Sequence, residues 1–237
     1  ADVDGNGSND LLVGAFYADG VEREDAGKLY FFTSELLSEI RAGTGVLDLA
    51  EPWPPGVGVI IGPEHNSRLG VWMAAGDVNG DGVADVVVGA DQASGFGSIA
   101  PSFEAGRVYV LYGPLAAGER IDLNDSTRPM SVIYGIDALD HAGSTVASDD
   151  INGDGFDDVI IGAAALGTLR NAYNIAGGAG DGPNNERHNA GEVYVVFGRP
   201  DLPRDIDLNV NPPQDLLVVY GADGGENSPD RLGEEIV

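Results

Sequence analysis

The chain has 237 residues, of which 43% are hydrophobic, so it is long and apolar enough for one large β domain or two small ones. It contains no cysteine, which excludes disulfides, zinc–thiolate clusters and thiol chemistry. Its 39 acidic and 12 basic residues give a net charge of −27, which makes nucleic acid and anionic lipid surfaces poor partners.

A nine-residue motif opens the chain and occurs three times. Each copy has an oxygen-bearing side chain at positions 1, 3, 5 and 9 and glycine at positions 4 and 6, where a tight turn needs unusual backbone angles. Alternate side chains of such a turn converge on one point, and oxygen ligands with three formal negative charges suit calcium. Position 7 would add a backbone carbonyl. The predicted ligands are Asp2, Asp4, Asn6, Ser8 and Asp10; Asp77, Asn79, Asp81, Val83 and Asp85; and Asp150, Asn152, Asp154, Phe156 and Asp158.

The residues after each motif distinguish it from other calcium loops. An EF-hand needs a carboxylate at position 12 and runs into a helix. Position 12 is Val13, Val88 or Ile161 here, within aliphatic runs that end in Gly-Ala and predict buried strands. A single copy would be explained as well by a solvated turn, whereas three copies in the same context favour a metal site.

Further landmarks recur in the same order after each motif, and together they predict four short strands per unit. A second apolar run follows Ala-Gly, and then comes an apolar-Asp-apolar triplet that we interpret as a structural turn. A third run closed by glycine is followed by the strand that enters the next motif. The second runs are 28–32, 107–112 and 192–197, the triplets 47–49, 121–123 and 206–208, and the third runs 57–61, 130–134 and 216–220. Ser34–Ile40, with Ser34 as its cap, predicts a short helix that decorates the first unit.

This order of features resembles the FG-GAP repeat of the integrin α-subunit β-propeller. The Phe-Gly position is matched by Leu69-Gly70, Ala142-Gly143 and Leu232-Gly233, and the Gly-Ala-Pro position by Gly14-Ala15, Gly89-Ala90 and Gly162-Ala163, with the proline replaced. The resemblance implies an all-β fold with propeller blades of four antiparallel strands, and three Ca²⁺ sites with the ligands named above. In the first motif Asp4 and Asn6 exchange the usual order of charge and amide, but the charge count is unchanged and we expect calcium there too.

We interpret residues 1–237 as a single propeller region with units of about 1–70, 71–143 and 144–233, and with 231–237 beginning a further blade. Three blades are too few for a ring, because propellers use about four to eight. A fragment of a longer propeller is the favoured explanation. The alternative is a ring or array completed by several chains through open blade edges.

The connection after Gly-Ala varies most in length and spans Phe16–Ala26, Asp91–Ala105 and Ala164–Ala190. Loops on one face of a propeller commonly bind ligands. The third connection contains Arg170, Tyr173, Arg187 and His188, although a flexible insertion is the favoured explanation of its composition. Catalytic motifs are not found, and His65, His141 and His188 are isolated in the sequence, so turn roles are favoured for the first two.

These patterns predict a non-catalytic, calcium-stabilised propeller, extracellular or at the cell surface, that binds a protein or glycan ligand as in cell adhesion. The calcium affinity expected of such loops suits the roughly millimolar calcium found outside cells. Two alternatives stay open: a propeller domain of a secreted carbohydrate-active or lipase-like enzyme, and a structural subunit of a surface layer or filament. No run approaches the length of a membrane span, so membrane insertion is not expected.

Overall fold

The computed structural model describes residues 1–50, 53–95, 103–164, 186–187, 190–209, 216–224 and 231–236. Regular structure in these ranges is almost entirely β-strand, which confirms the all-β class. The elements are β1 (Leu11–Ala15), β2 (Lys28–Phe32), α1 (Ser34–Ala42), β3 (Gly58–Ile61), β4 (Met73–Gly76), β5 (Asp85–Ala90), β6 (Arg107–Leu111), β7 (Arg120–Asp122), β8 (Met130–Tyr134), β9 (Thr145–Asp149), β10 (Asp158–Ala163), β11 (Glu192–Val196), β12 (Asp205–Asp207) and β13 (Leu216–Tyr220).

The strands form three sheets that resemble propeller blades. The first has the order β1-β2-β3-β7, the second β4-β5-β6-β8-β12 and the third β9-β10-β11-β13. All neighbours are antiparallel except β7 on β3 and β12 on β8, which are parallel. The third sheet is therefore the four-stranded antiparallel blade that the resemblance implies, and the other two sheets each gain a parallel strand.

The two parallel strands fall on apolar-Asp-apolar triplets, for which the sequence predicts only turns. Each triplet crosses to the outer edge of the preceding sheet: the Val59 N–H donates to the Glu119 carbonyl at 2.9 Å, and the Leu123 N–H donates to the Ile61 carbonyl at 3.0 Å. The turn is present as well, because Asp122 Oδ1 accepts the Asn124 N–H at 3.0 Å. The sequence thus predicted the turn but not the strand, because the partner of that strand lies far away in the sequence.

The middle sheet buries both of its faces. Along β6, Tyr109 and Leu111 pack toward the first sheet, while Val108 and Val110 pack toward the third. Alternation of this kind is what a pleated strand requires, since successive side chains point to opposite faces. Burial on both faces also explains why these strands are continuous apolar runs in the sequence.

Glycine pairs set the close approach between neighbouring sheets. A Cβ on Gly14 would collide with the Gly70 carbonyl, and one on Gly89 would collide with the Gly143 carbonyl. Each pair joins the glycine of a Gly-Ala position to the glycine of the next Phe-Gly position. The two glycines of the repeat signature thus meet across sheets, where no side chain fits.

The helix differs from its prediction in its cap and in its length. It spans Ser34–Ala42, and its N-cap is Thr33, whose Oγ1 accepts the Leu36 N–H at 3.4 Å.

In the part of the chain that the structure describes, no helix is long and apolar enough to cross a bilayer.

Candidate metal centre

The three nine-residue motifs form equivalent turns, named here loop 1 (residues 2–10), loop 2 (77–85) and loop 3 (150–158). Loop 2 joins the antiparallel strands β4 and β5, and loop 3 joins β9 and β10. Loop 1 leads into β1. The glycines at positions 4 and 6 have positive φ in every loop, from 75° to 93°. The sequence pattern therefore corresponds to one local structure, repeated in three sheets.

Backbone N–H groups hold the side-chain oxygens of each loop toward its interior. In loop 2, Asp77 Oδ2 accepts the Gly82 N–H at 2.9 Å, Asn79 Oδ1 accepts the Asp81 N–H at 2.9 Å, and Asp81 Oδ1 accepts the Val83 N–H at 2.9 Å. The equivalent bonds occur in loops 1 and 3 at 2.8–3.0 Å. Short-range bonds of this type fix polar side chains within a turn, so the candidate ligands are held in place by the fold.

The carboxylate at position 9 ties each loop to the backbone just beyond the end of β2, β6 or β11. Asp85 is fully buried; its Oδ2 accepts the Val78 N–H at 3.0 Å and its Oδ1 accepts the Gly113 N–H at 2.9 Å. Asp158 makes the same link to Gly198 at 2.9 Å. Burial raises the pKa of Asp85 to about 6, and it also raises the pKa of Asp158.

The backbone N–H groups that donate to the carboxylate of position 9 were not predicted from the sequence. A signal was present, because a glycine follows the second apolar run in two units, at Gly113 and Gly198. In the first unit the partner is Ser34, whose N–H donates to Asp10 Oδ1 at 2.8 Å.

Loop 1 brings three carboxylates together. One oxygen each of Asp2, Asp4 and Asp10 lies within 4.8 Å of the others. Burial raises the pKa of the Asp4 carboxyl, and the neighbouring charges of Asp10, Glu35 and Asp2 raise it further. Carboxylates this close repel one another, and a hard divalent cation would offset that repulsion. The oxygen-only donor set of the loop fits calcium.

Helix α1 is part of this site, contrary to its interpretation as decoration. The Asn6 side-chain amide donates to Glu35 Oε1 at 3.0 Å and to Ser34 Oγ at 3.2 Å. Glu35 thus adds a carboxylate beside loop 1. No local pattern marks this contact, because 29 residues separate its partners.

Successive loops also contact one another. The Ala84 N–H of loop 2 donates to the Asp2 carbonyl of loop 1 at 3.1 Å, and the Asp157 N–H of loop 3 donates to the Asp77 carbonyl of loop 2 at 3.0 Å. Asp157 Oδ2 also accepts the Asp77 N–H at 2.7 Å. The three loops therefore form a continuous row across the sheets.

His141 is buried in a charged cluster at the opposite end of the strands. Its Nδ1 lies 3.5 Å from Asp91 Oδ2 and its Nε2 lies 3.7 Å from Glu104 Oε2, while Arg68 Nε lies 3.6 Å from Asp91 Oδ1. Burial raises the pKa of Glu104. The φ of 54° at His141 fits the predicted turn, but the residue is not isolated in space.

Other candidate residues of the connections have separate positions. His65 Nδ1 accepts the Glu24 N–H at 3.1 Å, and Arg187 donates to the Ala222 carbonyl at 3.5 Å. Arg170, Tyr173 and His188 lie outside the described residues.

The sheets and their repeated loops define a class of protein, one with propeller-like β blades. Within it, the FG-GAP repeat family model matches residues 69–111, which include loop 2 and β4 to β6. The resemblance inferred from the sequence is confirmed by this match.

Two kinds of known protein are similar to the chain in sequence. Phosphatidylinositol-glycan-specific phospholipase D of Rattus norvegicus is 35% identical over 132 residues, which is 56% of this chain and 13% of the relative. The protein of the same name from Mus musculus is 29% identical over 78% of this chain and 20% of its own length. Integrin alpha pat-2 of Caenorhabditis elegans is 25% identical over 86% of this chain and 14% of the relative. The chain thus spans a fifth or less of the length of these relatives.

Proposed function

We propose that the chain is a non-catalytic, calcium-stabilised propeller region that binds a protein or glycan ligand outside the cell or at the cell surface. The observation that carries this proposal is the same oxygen-lined, backbone-fixed turn in three sheets. The FG-GAP match and the similarity to an integrin alpha protein support a role in adhesion.

The proposed ligands in each loop are the side chains of positions 1, 3, 5 and 9 and the carbonyl of position 7, as named from the sequence. A bound Ca²⁺ would supply two positive charges that offset the carboxylates of its loop. The loops themselves fix the turn between strands, so the role proposed for the ion is structural.

The proposed ligand face lies away from the metal loops. Strand β5 runs from loop 2 at Asp85 to Ala90, where the connection Asp91–Ala105 begins. The charged cluster of Arg68, Asp91, Glu104 and His141 lies at this end of the strands. The side chains of Arg68 and Glu104 are 17% and 16% exposed there, so a polar ligand of a protein or glycan type would contact charged groups of both signs.

Calcium titration of the chelator-treated chain by isothermal calorimetry tests the metal part of the proposal. We expect three sites, and we expect the variant Asp81→Ala to keep two. A chain that takes up no calcium would overturn the proposal.

Adhesion of cells, and binding to a glycan array, by the immobilised chain test the ligand part. Binding should fall when a chelator is present, because removal of calcium would destabilise the loops that connect neighbouring sheets. Equal or absent binding in both conditions would count against a calcium-stabilised adhesion role.

A second candidate is a non-catalytic or catalytic region of a larger hydrolase, favoured by the similarity to phosphatidylinositol-glycan-specific phospholipase D. Hydrolysis of a phosphatidylinositol-glycan by this chain alone would overturn the non-catalytic interpretation. Loss of that turnover in His141→Gln, with an unchanged melting temperature, would place the activity at the buried cluster.

A further inference from the structure

A cavity of about 330 Å³ lies between the first and second sheets. On the second sheet it is lined by alternate residues of two strands, Arg107 and Tyr109 of β6 and Met130, Val132 and Tyr134 of β8. Alternate side chains of a strand point to the same face of its sheet, and the apolar and tyrosine members of this set pack toward the first sheet. The cavity is therefore a cleft between two blades, named here the inter-sheet cleft.

The first sheet supplies the opposite wall of the inter-sheet cleft. Pro63 and Glu64 follow β3, and Leu123 and Asn124 follow β7. The buried residues of the lining are apolar or tyrosine, so the floor offers carbon surface. The rim is polar and at least partly exposed, and its members are Glu64, Asn124, Arg204 and Asp205.

Arg107 is held in place inside the inter-sheet cleft. Its Nε donates to the Ser94 carbonyl, its Nη1 donates to the Tyr109 hydroxyl at 3.3 Å, and its Nη2 lies 3.7 Å from Glu64 Oε1. Its guanidinium carbon lies 5.4 Å from the centre of the Tyr134 ring. Because Ser94 belongs to the connection after β5, the cleft opens at the edge of the proposed ligand face.

Two polar side chains of the rim have no partner among the described residues. Neither the Arg204 guanidinium nor the Asn124 side-chain amide has a hydrogen bond or an ion pair there. Asn124 uses only its backbone N–H, which donates to Asp122 Oδ1 at 3.0 Å. Both side chains are exposed, so a molecule in the cleft would find their donors available.

The same place in the next unit has a different chemistry. Glu192 is the first residue of β11, as Arg107 is of β6, and Tyr194 corresponds to Tyr109. The Tyr194 hydroxyl donates to Glu192 Oε2, so a carboxylate takes the place of the guanidinium. The chemistry of the inter-sheet cleft is therefore not a repeated feature of these sheets.

We propose that the inter-sheet cleft binds a neutral sugar unit of a glycan, an inference that rests on the ligand-binding role proposed above. A sugar hydroxyl both donates and accepts hydrogen bonds, and the rim offers donors on Arg204 and Asn124. It offers acceptors on the carboxylates of Glu64 and Asp205. The C–H surface of a sugar ring would pack on the apolar floor and on the tyrosines, whose rings are apolar while their hydroxyls are polar.

Size and charge both favour a neutral sugar over other ligands. The cleft lies at the lower end of the range of small-molecule sites, about 300–1,000 Å³, which suits a mono- or disaccharide. Two arginines and two carboxylates cancel in charge within it, and the chain as a whole carries −27, so an anionic ligand would gain little there.

Substitutions at the rim test the inter-sheet cleft on an array of neutral and acidic glycans, with calcium present. Asn124→Trp puts a large ring at the mouth of the cleft and should abolish binding to neutral glycans. Asn209→Trp is the matched control, since Asn209 has the same place in the turn of the next unit, and it should bind like the wild type. Arg204→Ala should weaken binding about three- to tenfold through the loss of one donor.

An NMR titration of the ¹⁵N-labelled chain with maltose, cellobiose, lactose and chitobiose locates the sugar. At least one of these disaccharides should shift the amide signals of Tyr109, Val132 and Tyr134, and Asn124→Trp should remove those shifts at an unchanged melting temperature. Shifts confined to residues outside the cleft would overturn the proposal.

The outcomes separate the inter-sheet cleft from the ligand-binding role as a whole. Glycan binding that is equal in Asn124→Trp and Asn209→Trp would overturn the cleft and leave the ligand-binding role standing. Cell adhesion without any glycan binding would do the same and indicate a protein ligand. Binding of acidic glycans alone would overturn the neutral sugar, and the absence of both adhesion and glycan binding would overturn the cleft together with the proposed function.

Discussion

The aspartate at position 9 has a structural role besides the metal-binding role proposed for it. Both oxygens of Asp85 accept backbone N–H groups, from Val78 within the loop and from Gly113 beyond β6. The proposed metal would use the remaining lone pairs. Asp81, at position 5, is exposed and accepts only within its own loop. Two acids of one loop should therefore respond differently to the same substitution.

Asp85→Asn should destabilise the chelated chain by about 1–3 kcal/mol, because a buried N–H loses its acceptor. Asp81→Asn is the matched control and should leave the chelated chain nearly unchanged while it weakens calcium binding. Urea unfolding in chelator and calorimetric titration measure the two effects. Equal destabilisation by both substitutions would show that position 9 has no special structural role.

The glycine at position 4 is constrained by a contact as well as by its backbone. Gly80 and Gly82 have φ of 75° and 88°, but only at Gly80 would a Cβ collide with Phe156. Gly82→Ala should cost about 1–2 kcal/mol from the left-handed backbone alone, and Gly80→Ala should cost more. In a double-mutant cycle, Phe156→Ala should reduce the cost at position 80 and not at position 82, measured by urea unfolding. No coupling at position 80 would contradict the contact between the loops.

At the scale of elements, local patterns predicted the structure where the forces are local. The loops were predicted from their glycines and from oxygen-bearing side chains at alternate positions. Strands β5 and β10 were predicted from continuous aliphatic runs. The pairing of β7 with β3 was not predicted, because a triplet carries too little periodicity to identify a partner in another unit. The contact of Glu35 with loop 1 was missed because its partner, Asn6, lies 29 residues away in the sequence. The connections after Gly-Ala were predicted as a ligand face, and that remains a prediction.

The contact between loops 2 and 3 leads to a prediction about the second and third sheets. Asp157 accepts the Asp77 N–H, whereas the equivalent residue of loop 2 is Ala84, which makes only the backbone contact. Asp157→Ala should therefore reproduce the arrangement between loops 1 and 2, with a loss of about 1 kcal/mol for one hydrogen bond. Asp157→Asn keeps an acceptor and is the control. Unfolding free energies that are equal for wild type and Asp157→Ala would show that this bond adds nothing to the contact between sheets.

At the scale of the molecule, the burial of apolar side chains and the repulsion between charges have opposite effects on the stability of the fold. Apolar side chains bury both faces of the middle sheet, while a net charge of −27 repels itself across the compact chain. Part of that charge is concentrated in the three loops, which lie in a row. Cations bound in the loops would reduce this part of the repulsion.

Calcium should therefore raise the melting temperature of the whole chain. An ion that binds only the folded state adds about 2.7 kcal/mol per site when its concentration is 100 times its Kd, so three occupied sites would give a large shift. Calorimetric scans in calcium and in chelator measure it. Sodium chloride at about 1 M is the control, because it shortens the screening length to roughly 3 Å and relieves general repulsion without filling the loops. If salt alone restored the full calcium effect, screening would suffice, and the loops would be acidic turns with no specific ion.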